Sequence, residues 1–478
     1  MKTIKGTHFI SREHPELLRD ESSLSGGNCQ CAAWPRNESE AAGFFKECVE
    51  DRVQMTISGA RTGIAGGAVP MGGAVLSTEK LLGISPTETP GKIRVMSGET
   101  LESVSDYCRT HMPEYFYPPD PTETTASIGG TIATDASGSS SYMYGSTRKW
   151  VDRIELVLPS GKIIWIKRGE YRFIHGRLTH PDLGILVLPL LSRPQPKKNA
   201  AGLYLQPEMD LIDLFIGSEG ELGLILSADL ILARKPFAVA TLAIFCDEDQ
   251  FWALRDDLMN TLLPVRELEA MVPPCLEFLD RNSEQTAYPE KGDWVLITSI
   301  EACSETDLDT VLEALSVMLE ERGVSPDSTW GGFDQTERKK LKDFRHTLPE
   351  TVNRIISGLS MKNPSIHKIS TDTAVAPEKL RDYLGYMNRV LQDAKVEHVV
   401  FGHCGQGHLH ANLIPKDRAE LESSERAVEL LAEQAVLLGG TVSAEHGTGK
   451  LKKHLLKLMY SENELRDTEL LKRQISRV

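Results

Sequence analysis

Ser58-Gly59-Ala60-Arg61-Thr62-Gly63-Ile64-Ala65-Gly66-Gly67 is a glycine-rich run that follows apolar residues at Met55 and Ile57. Small residues let backbone N–H groups approach and surround a phosphate. A tight turn between strands would use the same residues. The spacing is not Gly-x-Gly-x-x-Gly, so a nicotinamide-binding turn is not indicated. No Gly-Lys-Ser/Thr follows, so it is not a Walker loop. Gly447-Thr448-Gly449-Lys450 superficially resembles one, but lacks the upstream glycine and the hydroxyl after the lysine.

Two further loops lie in the same zone. Tyr117-Pro118-Pro119-Asp120-Pro121 has prolines that fix an extended entry. It leads into Thr125-Ala126-Ser127-Ile128-Gly129-Gly130-Thr131-Ile132-Ala133-Thr134-Asp135-Ala136-Ser137-Gly138, whose paired glycines permit close backbone approach. The third is Phe215-Ile216-Gly217-Ser218-Glu219-Gly220-Glu221-Leu222-Gly223-Leu224-Ile225. Each alone could be structural. Three together point to a long cofactor lying in backbone cradles.

The 478 residues suffice for two or three domains. A composition of 40% hydrophobic and 25% charged residues excludes disorder, collagen and coiled coil as whole-chain readings. The net charge of −15 argues against nucleic acid or an anionic membrane as a main partner. No run approaches the ~18 apolar residues of a membrane span, and the N-terminus lacks the apolar core of a secretion signal. The expectation is a cytoplasmic protein, with peripheral membrane contact through a partner left open. The eight cysteines are scattered, with no Cys-x-x-Cys pair, as for reduced thiols. An iron–sulfur cluster within the chain is not expected, so electrons would have to leave through another molecule.

Four zones follow one another. Residues 1–50 read as a helical lead-in. Residues 51–235 hold the glycine loops and strands at 154–158 and 162–166 around the turn Pro159-Ser160-Gly161. Arg193-Pro194-Gln195-Pro196-Lys197-Lys198 reads as a surface loop. The pattern changes near Arg234-Lys235-Pro236. Beyond it, strands at 240–246 and 294–300 alternate with helices at 249–263, 305–322 and 376–394, suggesting a second domain with helices on one face of a sheet. A helix at 423–438 and Gly439-Gly440 lead to a last polar motif.

That second half concentrates histidines: His398, His403, His408, His410 and His446 are five of the chain's 13. Residues 399–401 and 408–414 read as strands joined by a glycine-rich turn. The strand period of two puts His408, His410 and Asn412 on one face, and Leu409, Ala411 and Leu413 toward the core. His403, ending the preceding strand, can meet the polar face. Glu445-His446 adds a carboxylate and another imidazole. Two or three imidazoles plus a carboxylate suit zinc, manganese or iron. Any one of these histidines is more simply a hydrogen-bonded residue; the set favours function.

The loops, in this order, resemble those of FAD-linked oxidases of the vanillyl-alcohol oxidase type. The C-terminal half resembles the D-lactate, glycolate and D-2-hydroxyglutarate dehydrogenase branch. The resemblance implies an α+β fold: a two-part FAD-binding domain (1–236), an α/β cap domain with a mainly antiparallel sheet covered by helices (237–420), and a C-terminal helical segment (421–478) returning to the FAD domain. It implies that FAD is held by Ser58, Gly59, Ala60, Arg61, Thr62, Gly63, Gly66 and Gly67 of the first loop. It also implies Pro119, Asp120, Ser127, Ile128, Gly129, Gly130, Ala133, Thr134 and Gly138 of the second, and Glu219, Gly220 and Ile225 of the third. No histidine or cysteine occupies the loop position used for covalent attachment, so non-covalent FAD is expected. Ala60-Arg61 replace the usual two glycines, and Asp135 and Ser137 the usual Asn and Gly.

The family pattern Gly-His-x-Gly-Asp-Gly-Asn-Leu-His is matched at Gly402, His403, Gly405, Gly407, Leu409 and His410. It implies a divalent metal on His403, His410 and Glu445, with His446 as catalytic base. Gln406 replaces the usual Asp and His408 the usual Asn, leaving His408 as an added ligand or substrate contact. Arg345 and Lys368 match substrate-binding positions, and Asn412 is a third candidate. The implied reaction is oxidation of a small 2-hydroxy acid to the 2-keto acid, with electrons passed to a quinone, an electron-transfer flavoprotein or an iron–sulfur subunit. A homodimer is compatible with this reading. The alternatives are a metal-dependent hydrolase without redox chemistry and a non-catalytic flavin-binding subunit, for which the intact Glu445-His446 pair would have no use.

Overall fold

A computed structural model describes residues 1–282 and 294–476. The chain divides into two compact units: Met1–Gly138, Gly145–Lys235 and Ser443–Val478 form the first, and Ser139–Tyr144 with Pro236–Val442 the second.

Among the described residues, the first unit has two larger sheets, besides two of two strands each. One has four strands in the order Lys2–Lys5, Cys31–Trp34, Ala74–Ser77, Met55–Ser58, the last three parallel to one another. The expected helical lead-in is thus corrected. It holds the helices Thr7–Glu13 and Glu38–Glu50, but also two strands of this sheet, because Ala32, Ala33 and Trp34 are needed in its core. Asn37 caps the second helix by accepting from the Glu40 amide at 2.9 Å. The other sheet is five-stranded and antiparallel, in the order Ile84–Pro86, Lys92–Met96, Leu224–Ile231, Val151–Val157, Ile163–Lys167. Phe44, Phe45 and Leu76 of the first sheet's layer pack with Val157, Leu224 and Leu226 of the second. The first glycine loop therefore leaves the end of strand Met55–Ser58, and the third precedes strand Leu224–Ile231.

The second unit is built on a seven-stranded, wholly antiparallel sheet. Its order is Thr329–Gly332, Ala238–Cys246, Trp294–Ala302, Val265–Val272, His398–His403, His408–Leu413, Ile369–Ser370. Helices cover both faces, not the one face expected. Glu248–Asn260, Glu305–Glu321, Leu380–Ala394 and Arg418–Leu437 lie over Leu242, Ile244, Ala270 and Leu296. Cys275–Asn282 and Gln335–Lys362 lie over Ala243, Phe245, Met271 and Val295. The cause is visible in strand Trp294–Ala302, where all nine residues are buried: a strand with apolar side chains on both faces needs cover on both. The helix Gln335–Lys362 absorbs Pro349 and presents Leu341, Phe344, Leu348 and Val352 to the sheet. The helix Arg418–Leu437 belongs to this unit through Ala427, Leu431 and Ala435, so the chain returns to the first unit at Ser443 instead of 421.

Candidate active site

In the second unit, the hairpin of His398–His403 and His408–Leu413 carries the histidines. Leu409, Ala411 and Leu413 enter the core, as the alternation requires. His408 and His410 take the opposite face, and His403 pairs directly across from His408. The turn Cys404–Gln406 closes at Gly407, whose φ of 69° and whose position against the Val375 carbonyl (2.1 Å from a Cβ placed there) exclude a side chain. The ring centroids stand 5.4 Å apart for His403 and His408, 5.9 Å for His403 and His410, and 4.2 Å for His408 and His410. One nitrogen from each of the three rings lies within 4.8 Å of the others.

The rings are held from behind. His403 Nδ1 is 2.5 Å from Glu269 Oε1. Burial would raise the Glu269 pKa, but His403 and Arg345 outweigh it and hold the carboxyl down to about 2. An ionised Glu269 only accepts, so His403 Nδ1 carries the proton, the tautomer that a ligand bound through Nε2 would need. His410 Nδ1 stands 3.0 Å from the Thr371 carbonyl, another pure acceptor, which fixes the same tautomer. His408 Nε2 lies 3.3 Å from Asp372 Oδ1. Backing of imidazole by carboxylate or carbonyl, as at His403 and His410, is the usual support of a metal-binding histidine, so these residues fit a divalent ion.

Arg345 pairs with Glu269 Oε2 at 3.1 Å and lies over the Phe401 ring at 4.7 Å. Lys368 donates to Asn353 Oδ1 at 3.2 Å, and desolvation pushes its ammonium down to about 8. Asn412 is buried beside His410, its Nδ2 3.4 Å from the His410 carbonyl. Gln406 spends both ends of its amide on Ser141: it accepts from Oγ at 2.7 Å and donates to the carbonyl at 3.1 Å. The residue that departs from the family pattern thus ties segment Ser139–Tyr144 to the histidine turn.

In the first unit, Glu445 Oε2 accepts from Ser137 Oγ at 3.1 Å and pairs with Lys198 Nζ at 3.1 Å. His446 Nε2 is 3.5 Å from Glu445 Oε1. The segment bearing this pair is clamped to the third loop. Glu219 accepts from the amide and hydroxyl of Thr448, each at 2.8 Å, and from the Gly449 amide at 2.6 Å. Lys450 donates to the carbonyls of Gly66 and Gly67 at 3.2 and 2.8 Å. The Gly447–Lys450 run therefore joins two glycine loops to the Glu445-His446 pair.

The glycine loops also meet one another. Ser127 caps the helix Ile128–Thr134 through the Gly130 amide at 3.3 Å and takes the Ala60 amide at 3.3 Å. A Cβ on Gly59 would stand 2.3 Å from Ser127 Oγ, so this approach demands glycine. Gly217 and Glu219 donate their amides to the carbonyls of Ile132 and Ala133. Arg61 takes a φ of 64°, and its guanidinium pairs with Glu79 at 2.6 Å. Among the described residues, the amides of Arg61, Thr62, Gly63 and Ile64 make no hydrogen bond within the chain. Consecutive unpaired amides around a left-handed residue fit a phosphate-bearing cofactor such as FAD. Asp135 fills its position with a carboxylate that takes the Arg148 amide at 2.8 Å and guanidinium at 3.0 Å.

Glu269, Asp372, Lys198 and Ser137 were not among the residues expected. Glu269 had a signal, a lone acid within the apolar run 268–272. Lys198 had none: it lies in the stretch read as a surface loop, yet its side chain is only 10% exposed and pairs with Glu445.

Comparison with known proteins agrees with this geometry. Residues 29–167 match the FAD binding domain family, and residues 240–474 match the family of FAD linked oxidases, C-terminal domain. The chain belongs to the FAD-linked oxidases and is a flavin-dependent oxidoreductase. It is 28% identical to a D-lactate dehydrogenase of Archaeoglobus fulgidus, over 90% of this chain and 85% of the relative. It is 27% identical to the glycolate oxidase subunit GlcD of Bacillus subtilis, over 89% and 82%. It is 26% identical to a D-2-hydroxyglutarate dehydrogenase of Xanthomonas citri, over 91% and 84%. The fold matches the solved 4-ethylphenol oxidase of Gulosibacter chungangensis with a TM-score of 0.69 at 13% identity, covering 98% of this chain and 91% of that one. No helix among the described residues is long and apolar enough to cross a membrane.

Proposed function

We propose that the protein oxidises a small 2-hydroxy acid of the D-lactate, glycolate or D-2-hydroxyglutarate type to the 2-keto acid, with a divalent metal assisting. The observation that carries this reading is the trio of imidazoles in the second unit, with an oxygen acceptor hydrogen-bonded behind His403 and His410. The relatives named above support the substrate class.

Bound FAD supplies the two-electron acceptor, and a bound divalent ion a Lewis acid for the hydroxyl and carboxylate oxygens. His403, His410 and Glu445 would hold the ion. Glu445 follows Thr441 by four residues, and the Thr441 amide is bonded to the carbonyl of Ala374, which is bridged to His408. Arg345 would meet the substrate carboxylate. Its contacts to Glu269 use Nε and Nη2, which fixes the guanidinium plane and leaves Nη1 as a donor. Lys368 and Asn412 would complete that polar face. His446 would take the hydroxyl proton as the C–H hydride leaves for the flavin. Two electrons and two protons thus pass from the hydroxy acid, whose carbinol becomes the ketone. Electrons would leave through a quinone, a flavoprotein or an iron–sulfur partner.

Anaerobic mixing with a panel of D- and L-2-hydroxy acids tests this. Bleaching of the flavin band by at least one acid, with the 2-keto acid as product, is expected. A protein that binds flavin but is reduced by none of them would instead favour the non-catalytic subunit. The hydrolase alternative loses ground to the family match over the FAD binding domain.

A further inference from the structure

We propose that His408 is a third imidazole ligand of the ion, so that one sheet face carries a three-histidine centre suited to zinc-like ions more than to manganese. This rests on the metal-dependent reading above. His408 is fully buried. It pairs across the hairpin with His403 and stands one strand period from His410. Nitrogens bound to one tetrahedral zinc at about 2.0–2.1 Å lie about 3.3–3.4 Å apart. The three donor nitrogens here lie within 4.8 Å of one another, so ring rotations that shorten their separations by up to about 1.5 Å gather them.

His408 Nε2 also stands 3.3 Å from the buried Asp372 carboxylate, an ion-pair distance and not a hydrogen bond of the kind that orients His403 and His410. Imidazole favours zinc, cobalt, nickel and copper, whereas oxygen donors favour manganese and magnesium. A third imidazole therefore moves the preference of the site toward zinc-like ions.

The full-length flavoprotein is stripped with a chelator and reloaded with Cu(II), and the coordinated imidazoles are counted by pulsed EPR through their remote nitrogens. Three are expected in the parent and two in His408→Asn, with His408→Gln as a second variant. Competition titrations should show zinc affinity falling by at least about tenfold in His408→Asn, the low end for losing even an outer partner of a site, while manganese affinity changes less. A count of two in the parent, or of three in both proteins, overturns His408 as a ligand and leaves the metal reading standing. A parent that binds neither copper nor zinc overturns both.

Discussion

His403 donates its Nδ1 proton to Glu269 across 2.5 Å, and that carboxylate also takes Arg345 at 3.1 Å. One buried acid, 3% exposed, thus fixes a proposed metal ligand and a proposed substrate cation together. Glu269→Gln should weaken metal binding by roughly 10–100-fold, the usual cost of losing such a backing group. It should also destabilise the protein by about 3–5 kcal/mol, because Arg345 keeps its charge without a partner. Metal titration and thermal melting check the two effects. Unchanged metal affinity would separate Glu269 from the site.

The first and second glycine loops touch at Gly59 and Ser127, where added bulk has nowhere to go. Gly59→Ala should therefore lower FAD occupancy of the purified protein while metal content stays near that of the parent. In the parent, acid denaturation should release all the flavin as free FAD, since neither histidine nor cysteine occurs in residues 58–67 or 117–138. Flavin remaining on the polypeptide would contradict the non-covalent assignment.

Lys368 offers a pH signature. Desolvation lowers its ammonium pKa to about 8, so it carries charge below that pH and loses it above. If it meets the substrate carboxylate, kcat/KM should bend downward as pH rises through about 8, because this parameter reports the free enzyme. Lys368→Arg should remove the bend, since a guanidinium stays charged. A bend that survives in Lys368→Arg would belong to another group.

Much of the site was legible in the sequence because it depends on local periodicity. Alternation placed His408, His410 and Asn412 on one face with no knowledge of the sheet. Glu269 was not legible in the same way. Its role follows from the register that sets Ala270 opposite Gly402 on a strand some 130 positions away, which spacing cannot reveal. Lys198 was hidden by composition: a Pro- and Lys-rich stretch reads as solvated surface, whereas its ammonium is largely shielded and paired with Glu445. The helix Gln335–Lys362 was obscured by Pro349, whose missing N–H ordinarily ends a helix but is tolerated within this long packed one. The burial of strand Trp294–Ala302 on both faces was concealed because residues 294–300 read as a strand without saying which faces are covered.

The division of labour between ligand and base tests the account most directly. Elemental analysis and anaerobic stopped-flow flavin reduction are run on His410→Ala and His446→Asn, both reconstituted with FAD. His410→Ala should lose the metal. His446→Asn should keep metal and FAD and reduce its flavin roughly 10²–10⁴-fold more slowly with the best hydroxy acid, the usual share of a general base. Full metal and full rate in His410→Ala, or an undiminished rate in metal-loaded His446→Asn, would contradict it.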